Sequence, residues 1–232
     1  MSARLKRLAN GALKLLYPTR AICMGCGTQA GFEREWLCEE CRAALAKRWI
    51  GAAPPPKDSG IDGAAFAYLY AGPAGSMVRN LKYGGTRRLA EPMARAMAGA
   101  LEAIQPTGAG MIVPVPMHPE RQRRRGFNHA ALLAERLGGR TGLPVCDVLV
   151  RTRNTRQQAR LSDAQRLGNL AGAFALAGPV SGRRILLVDD VCTTGATAAG
   201  CAAVLKAGGA AAVYLLCFAA ADRGGRDPDA QR

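Results

Sequence analysis

Residues 185–198 read ILLVDDVCTTGATA: four apolar residues, two adjacent aspartates, then threonines and a glycine. The apolar run predicts a buried strand over 185–188 with Asp189 and Asp190 at its end. The stretch GATAAGCAAVLKAGG predicts a helix that opens within the threonine turn. A hydroxyl- and glycine-rich turn at a helix N-terminus offers backbone N–H groups and the positive end of the helix dipole, which together seat a phosphate. Thr193, Thr194, Gly195 and Thr197 are the residues of that seat. Carboxylates beside it repel the same anion unless they hold something else: sugar hydroxyls, or a metal ion between ligand and protein. A ribose 5-phosphate satisfies both halves. A Walker loop is excluded because no Gly-Lys dipeptide occurs in the chain, and the dinucleotide fingerprint is absent as well.

A second constellation lies near the N-terminus. Cys23, Cys26, Cys38 and Cys41 form two CxxC knuckles separated by eleven residues. Each knuckle aims two thiolates at one point, and two knuckles complete a tetrahedral S4 site that suits structural Zn2+ with no position left for a catalytic water. Gly25 and Gly27 permit the tight backbone. Two disulfides or redox pairs would need an oxidising compartment or a thioredoxin-like βαβ setting, and neither is evident. Structural zinc contributes about 10–16 kcal/mol in isolated finger peptides, so the ribbon is expected to unfold without metal. Cys146, Cys192, Cys201 and Cys217 are dispersed among apolar residues and read as small hydrophobes, with Cys192 lining the site turn.

These groups must be positioned by the rest of the chain. Short apolar strands at 64–70, 111–115, 145–150, 185–188 and 211–218 alternate with helical stretches, which predicts an α/β domain, a mostly parallel sheet flanked by helices. In such sheets ligands bind beyond the carboxyl ends of the strands, where Asp189 and Asp190 stand. The expected organisation is an amphipathic helix over 1–20, the four-cysteine ribbon over 21–50, a proline-rich linker over 51–60, the α/β domain over 61–221 and a disordered tail over 222–232. The first helix is read as docked on its own protein, with contact to an anionic membrane surface as the alternative. The longest apolar run, at 210–221, has twelve residues, short of the ~18 a transmembrane helix needs, so a cytoplasmic location is expected. Asn128 is the expected N-cap of the helix HAALLAERLGG. Trp36 and Trp49 are read as packing the ribbon. His118 and His129, the only histidines, carry no metal-site pattern.

The net charge is +15, which bears on partners and makes polyanions the natural suspects. Residues 118–166 hold eleven arginines, no lysine and four acids, an excess of +7. Single-stranded DNA is the partner such a window suits, with marked salt dependence. RTRNTRQQAR precedes an S-x-x-Q capping box at 162–165 and reads as a loop, either a ligand cover or a solvated charge run. The turn Lys82, Tyr83, Gly84, Gly85 either touches phosphate or ends a helix with a favourable lysine.

Taken together, ILLVDDVCTTGATA resembles the phosphoribosyl pyrophosphate (PRPP) signature of type I phosphoribosyltransferases. The four-cysteine ribbon, LKYGG, PVPMHPERQRRRGFNHAALLAERL and RTRNTRQQARLSDAQRLGNLAGAF, in that order, resemble the ComF family of competence-associated proteins. The resemblance runs from about Cys23 to Phe218. It implies that Asp189 and Asp190 hold the ribose 2- and 3-hydroxyls and that Thr193, Thr194, Gly195 and Thr197 bind the 5-phosphate. It also implies that the basic loop over 116–125, with Arg123, Arg124 and Arg125, receives the pyrophosphate, and that Mg2+ enters with the diphosphate. Arg156, Gln157 and Arg160 belong, by the same resemblance, to a loop that covers bound PRPP. The implied function is PRPP binding in DNA uptake or utilisation, with DNA-uptake proteins as partners; the alternative is an active phosphoribosyltransferase with no DNA role. No segment reads as a purine or pyrimidine site. A PRPP-sensing transcriptional regulator would need a helix-turn-helix, and none is recognisable.

Overall fold

Strands and helices alternate along the chain as the apolar pattern predicts. The computed structural model describes residues 21–30, 36–104, 108–153 and 172–222. The expected helix over 1–20, the loop carrying Arg156, Gln157 and Arg160 with its capping box, and the tail after 222 lie outside the described residues. In chain order the elements are β1 (Ala21–Ile22), β2 (Gln29–Ala30), α1 (Glu39–Ala46), β3 (Trp49–Ala53), β4 (Gly63–Leu69), α2 (Gly72–Tyr83), a 3-10 turn (Arg87–Leu89), α3 (Ala90–Glu102), β5 (Met111–Pro114), α4 (Pro119–Arg125), α5 (His129–Thr141), β6 (Leu149–Arg151), β7 (Phe174–Leu176), β8 (Arg184–Cys192), α6 (Ala196–Ala207) and β9 (Ala212–Ala220).

Five strands form the main sheet in the order β3-β4-β9-β8-β5. The pairings β4 with β9, β9 with β8 and β8 with β5 are parallel, and only β3 runs antiparallel to its neighbour. The sheet is therefore mostly parallel and flanked by helices. Ile185, Leu186, Leu187 and Val188 are all fully buried because both faces are covered. Successive strand residues point to opposite faces. Leu186 and Val188 join one core with Met77, Met93, Met97, Leu133 and Leu137 of α2, α3 and α5. Ile185 and Leu187 join the other, with Cys201 and Leu205 of α6. Each such side chain contributes about 1.5–3 kcal/mol on burial.

Four local readings are corrected. Residues 51–53, expected to open a linker, instead complete β3, paired to Phe66, Ala65 and Ala64 at the sheet edge. Trp49 sits on this strand, edge-on to Tyr68 with ring centroids 5.4 Å apart, and so packs on the sheet rather than the ribbon. The segment 145–150 is not a strand of the main sheet. Val145 makes a single bridge to Ile112, and Leu149–Arg151 pairs with Phe174–Leu176 in a separate two-stranded sheet. The basic loop over 116–125 contains a helix, α4, with Pro119 in its first turn and His118 accepting a hydrogen bond from the Glu120 amide. Gly126, at φ 83°, ends it, a conformation that glycine adopts without steric penalty.

The ribbon shares a core with the sheet domain. Cys23, Leu37, Cys38, Cys41 and Leu45 cluster with Met77 and Leu81 of α2. Asn80 of α2 donates to the Met24 carbonyl at 3.0 Å, tying the first knuckle to that helix. Among the described residues no helix is long and apolar enough to cross a membrane.

Candidate functional site

β8 runs four residues further than its apolar core, through both aspartates to Cys192. Pairing explains the extension: β9 follows β8 as far as Cys192 opposite Ala220. On the other side β5 ends at Pro114, opposite Val188. Beyond Val188, strand pairing is thus one-sided, and a crevice opens at the carboxyl end of β8. There Asp189, Thr193, Thr194, Gly195 and Thr197 line an open hollow. Cys192 lines it too, as its place in the turn predicts. Gly195 caps α6 at φ 80°, and the Ala196 amide donates to Thr194 Oγ1 at 3.3 Å. The first-turn N–H groups of a helix lack intrahelical partners, so the arrangement can receive an anion on the floor of the hollow.

The alternation of β8 separates the two aspartates. Asp189 shares the face of Leu187 and opens into the hollow; Asp190 shares the face of Val188 and is buried. Burial, and next the charge of Asp190, push the Asp189 carboxyl up to about 7, against the smaller pull of Lys82 and Arg151. The Asp190 amide donates to Asp189 Oδ1 at 2.8 Å.

Asp190 meets Lys82, with Nζ to Oδ2 at 2.9 Å. Lys82 stands in the last turn of α2. Burial works against its charge, but Asp190 and then Asp189 outweigh that and hold it above the usual lysine value. His129, at the start of α5, is buried, and its Nε2 has no hydrogen-bond partner among the described residues. Burial pushes this imidazole down to about 4, opposed by Asp190 and reinforced by Arg125 and Lys82, so it is neutral at pH 7. Asn128 caps α5 as expected, accepting from the Ala130 amide at 3.1 Å. Its Nδ2 donates to the Val115 carbonyl, which anchors the turn after β5.

The arginines divide. Arg125 donates to the Tyr83 hydroxyl at 3.1 Å and lies over its ring, whereas Arg123 and Arg124 are exposed on α4. Arg151 is the residue that motif reading passed over. Its guanidinium packs over Phe174 at 5.4 Å and is close enough to stabilise the charge of Asp189. The only signal in the sequence was its place among four arginines of one segment, and its nearness to β8 depends on the pairing of β6 with β7.

The four cysteine sulfurs lie within 4.8 Å of one another. A tetrahedral site with Zn–S near 2.3 Å requires sulfur–sulfur edges of about 3.8 Å, and Cys26 and Cys38 stand 3.7 Å apart. The amides of Gly25 and Cys38 donate to Cys23 Sγ at 3.4 and 3.3 Å. A Cβ on Gly25 would fall 2.7 Å from Cys41 Sγ, so the knuckle closes only around glycine. Thr28 holds the exposed Cys26 thiol down to about 6, which favours the thiolate a metal requires. The group can hold a metal ion such as zinc.

The family model "Phosphoribosyl transferase domain" matches residues 123–231. DNA utilization protein YhgH of Escherichia coli O157:H7 is 32% identical over 207 residues, covering 85% of this chain and 89% of that protein. Competence protein ComFC of Bacillus subtilis is 30% identical over 149 residues, 63% of this chain and 59% of that protein. The chain belongs to the ComF family. Competence protein F of Haemophilus influenzae, 42% identical over 90 residues, covers 37% of this ComF-family chain and 39% of its own length.

Proposed function

We propose that this ComF-family protein binds PRPP at the carboxyl end of β8 and acts in DNA uptake or utilisation, contacting single-stranded DNA. The observation that carries the reading is the hollow in which Asp189 faces the hydroxyl- and amide-rich opening of α6. The 5-phosphate sits on Thr193, Thr194, Gly195 and Thr197 at the helix N-terminus. Asp189 accepts from one ribose hydroxyl. Asp190 takes the second when the Lys82 ammonium turns toward the diphosphate. Arg125 at the end of α4, with Arg156 and Arg160, neutralises the pyrophosphate. Mg2+ would enter with the ligand's diphosphate and would supply charge neutralisation there. Zinc in the four-cysteine group is structural, all four positions being taken by protein.

The phosphoribosyl transferase domain match favours a second reading, an active transferase with an unidentified acceptor and no DNA role. Turnover would place an oxocarbenium-like centre at the anomeric carbon and leave this chain's cations to stabilise departing pyrophosphate. Titration with PRPP and Mg2+, with pyrophosphate assayed in the same samples and with or without single-stranded DNA, separates the two. Binding without release, strengthened by DNA, supports the first; release unaffected by DNA supports the second; no binding removes both.

A further inference from the structure

The ligand site accounts for Lys82 but leaves its neighbour, Tyr83, unexplained. Tyr83 ends α2 with 72% of its surface exposed, the most exposed large apolar side chain among the described residues. One face of its ring carries the Arg125 guanidinium, 5.1 Å from the centroid, and Arg125 Nη2 also holds the phenol oxygen. The ring is therefore clamped by an arginine rather than packed into the core. A second pair of the same kind stands beside it: Arg87, in the 3-10 turn, lies 4.5 Å from the centroid of Phe127 and reaches the Gly126 carbonyl. Arg87, Arg88, Arg123 and Arg124 are exposed on these same two elements. The end of α2, the 3-10 turn and the end of α4 thus bring one exposed aromatic ring, that of Tyr83, together with guanidinium groups.

We infer that this patch is a base-stacking platform for single-stranded polynucleotide, with Tyr83 the stacking residue and Arg87, Arg88, Arg123 and Arg124 tracking the phosphates. The inference rests on the polynucleotide reading above and gives it a location and a mode. Single-strand binders pair basic tracks with aromatic rings because every base offers a π-face, whereas paired bases in a duplex are already stacked. Arginine on one face of this exposed ring leaves the other for a base and adds a cation–π contribution. Charge alone would suit any polyanion. The exposed, clamped ring is what selects a ligand with planar bases.

The test is fluorescence anisotropy with (dT)20 and (rU)20 on the full chain, metal loaded, across a salt series. Loss of one base stack corresponds to about 5- to 150-fold in affinity. Tyr83→Ala is expected to lose that much with both oligonucleotides while keeping the wild-type salt slope, and Tyr83→Phe and Tyr83→Trp are expected to bind like the wild type. Arg123→Ala with Arg124→Ala is expected to reduce the slope by about 1.4. Photocrosslinking of a 5-bromouracil-substituted oligonucleotide to wild-type protein, read by mass spectrometry, is expected to mark Tyr83, a readout independent of how any variant folds. Wild-type affinity retained by Tyr83→Ala would overturn the platform and leave DNA binding standing elsewhere, as would poly-glutamate competing as well as (dT)20. Failure of wild-type protein to bind (dT)20 at low salt would remove the polynucleotide reading itself.

Discussion

Lys82 Nζ lies 2.9 Å from Asp190 Oδ2, joining the last turn of α2 to β8, with only 23% and 7% of the two side chains exposed. Removing one partner of a mostly buried pair leaves an uncompensated charge, which costs about 3–5 kcal/mol. Because Lys82 keeps some solvent, Lys82→Met is expected near the low end, about 3 kcal/mol, in urea denaturation. Adding Asp190→Leu to Lys82→Met should restore most of the loss. A single variant as stable as the wild type would show that the pair contributes nothing.

Asp189 predicts a pH effect of definite sign. Folded Asp189 keeps its proton up to about 7, while an unfolded aspartate releases it near pH 3.9. Between those values the folded state binds more protons, so this group's contribution to stability falls as pH rises through the window. Asp189→Asn abolishes that fall. The stability difference, variant minus wild type, should therefore grow from pH 4 to pH 7 and then level off. A difference independent of pH would contradict the burial and charge argument. Subtracting the wild-type curve also removes the opposing effect of His129. Its depressed value makes its own contribution shrink as pH falls from about 6.5 toward about 4.

The cysteine group predicts one zinc per chain by elemental analysis, lost in Cys38→Ser. Asn80 ties Met24 to α2, and α2 carries Lys82, so metal loss should also weaken the packing of that helix. A chelator is expected to lower the melting temperature and to increase amide exchange in α2. Full metal content in Cys38→Ser would show that the Cys38 sulfur is not a ligand.

Much of this was legible from local pattern. The apolar run before Asp189 was bound to be a buried strand, and knuckle spacing brings four sulfurs together whatever follows. Asn128 was readable as a cap because capping is decided within a few residues. Nonlocal features were not. Whether residues 51–53 join a sheet depends on β4, a distant partner, and 145–150 has the composition of a strand but meets β5 at one bridge before Leu149–Arg151 pairs with β7. The opposite facing of Asp189 and Asp190 could have been read from strand periodicity once β8 was known to continue past Val188, which depends on β9. The pairing of Asp190 with Lys82 depends on where α2 ends. For α4 the signal was present and passed over: Pro119 at the start and Gly126 just after the end mark a helix.

The arginines of α4 predict a salt dependence. Replacing Arg123, Arg124 and Arg125 with alanine should weaken single-stranded DNA binding and flatten the dependence of log affinity on log salt by about 1.4, at roughly 0.7 for each of the two phosphates that Arg123 and Arg124 no longer neutralise, Arg125 being held on Tyr83. An unaltered slope would move the electrostatic surface away from α4.

The most direct test of the central claim is calorimetric titration of zinc-loaded protein with PRPP and Mg2+, comparing wild type with Asp189→Asn. The account predicts one site per chain in the wild type. At pH 8, where Asp189 is ionised, it predicts affinity lower by about 10- to 150-fold in the variant, the value of a hydrogen bond to a charged group, with the fold preserved by circular dichroism. Equal affinity in the two proteins, or no binding in either, would contradict it.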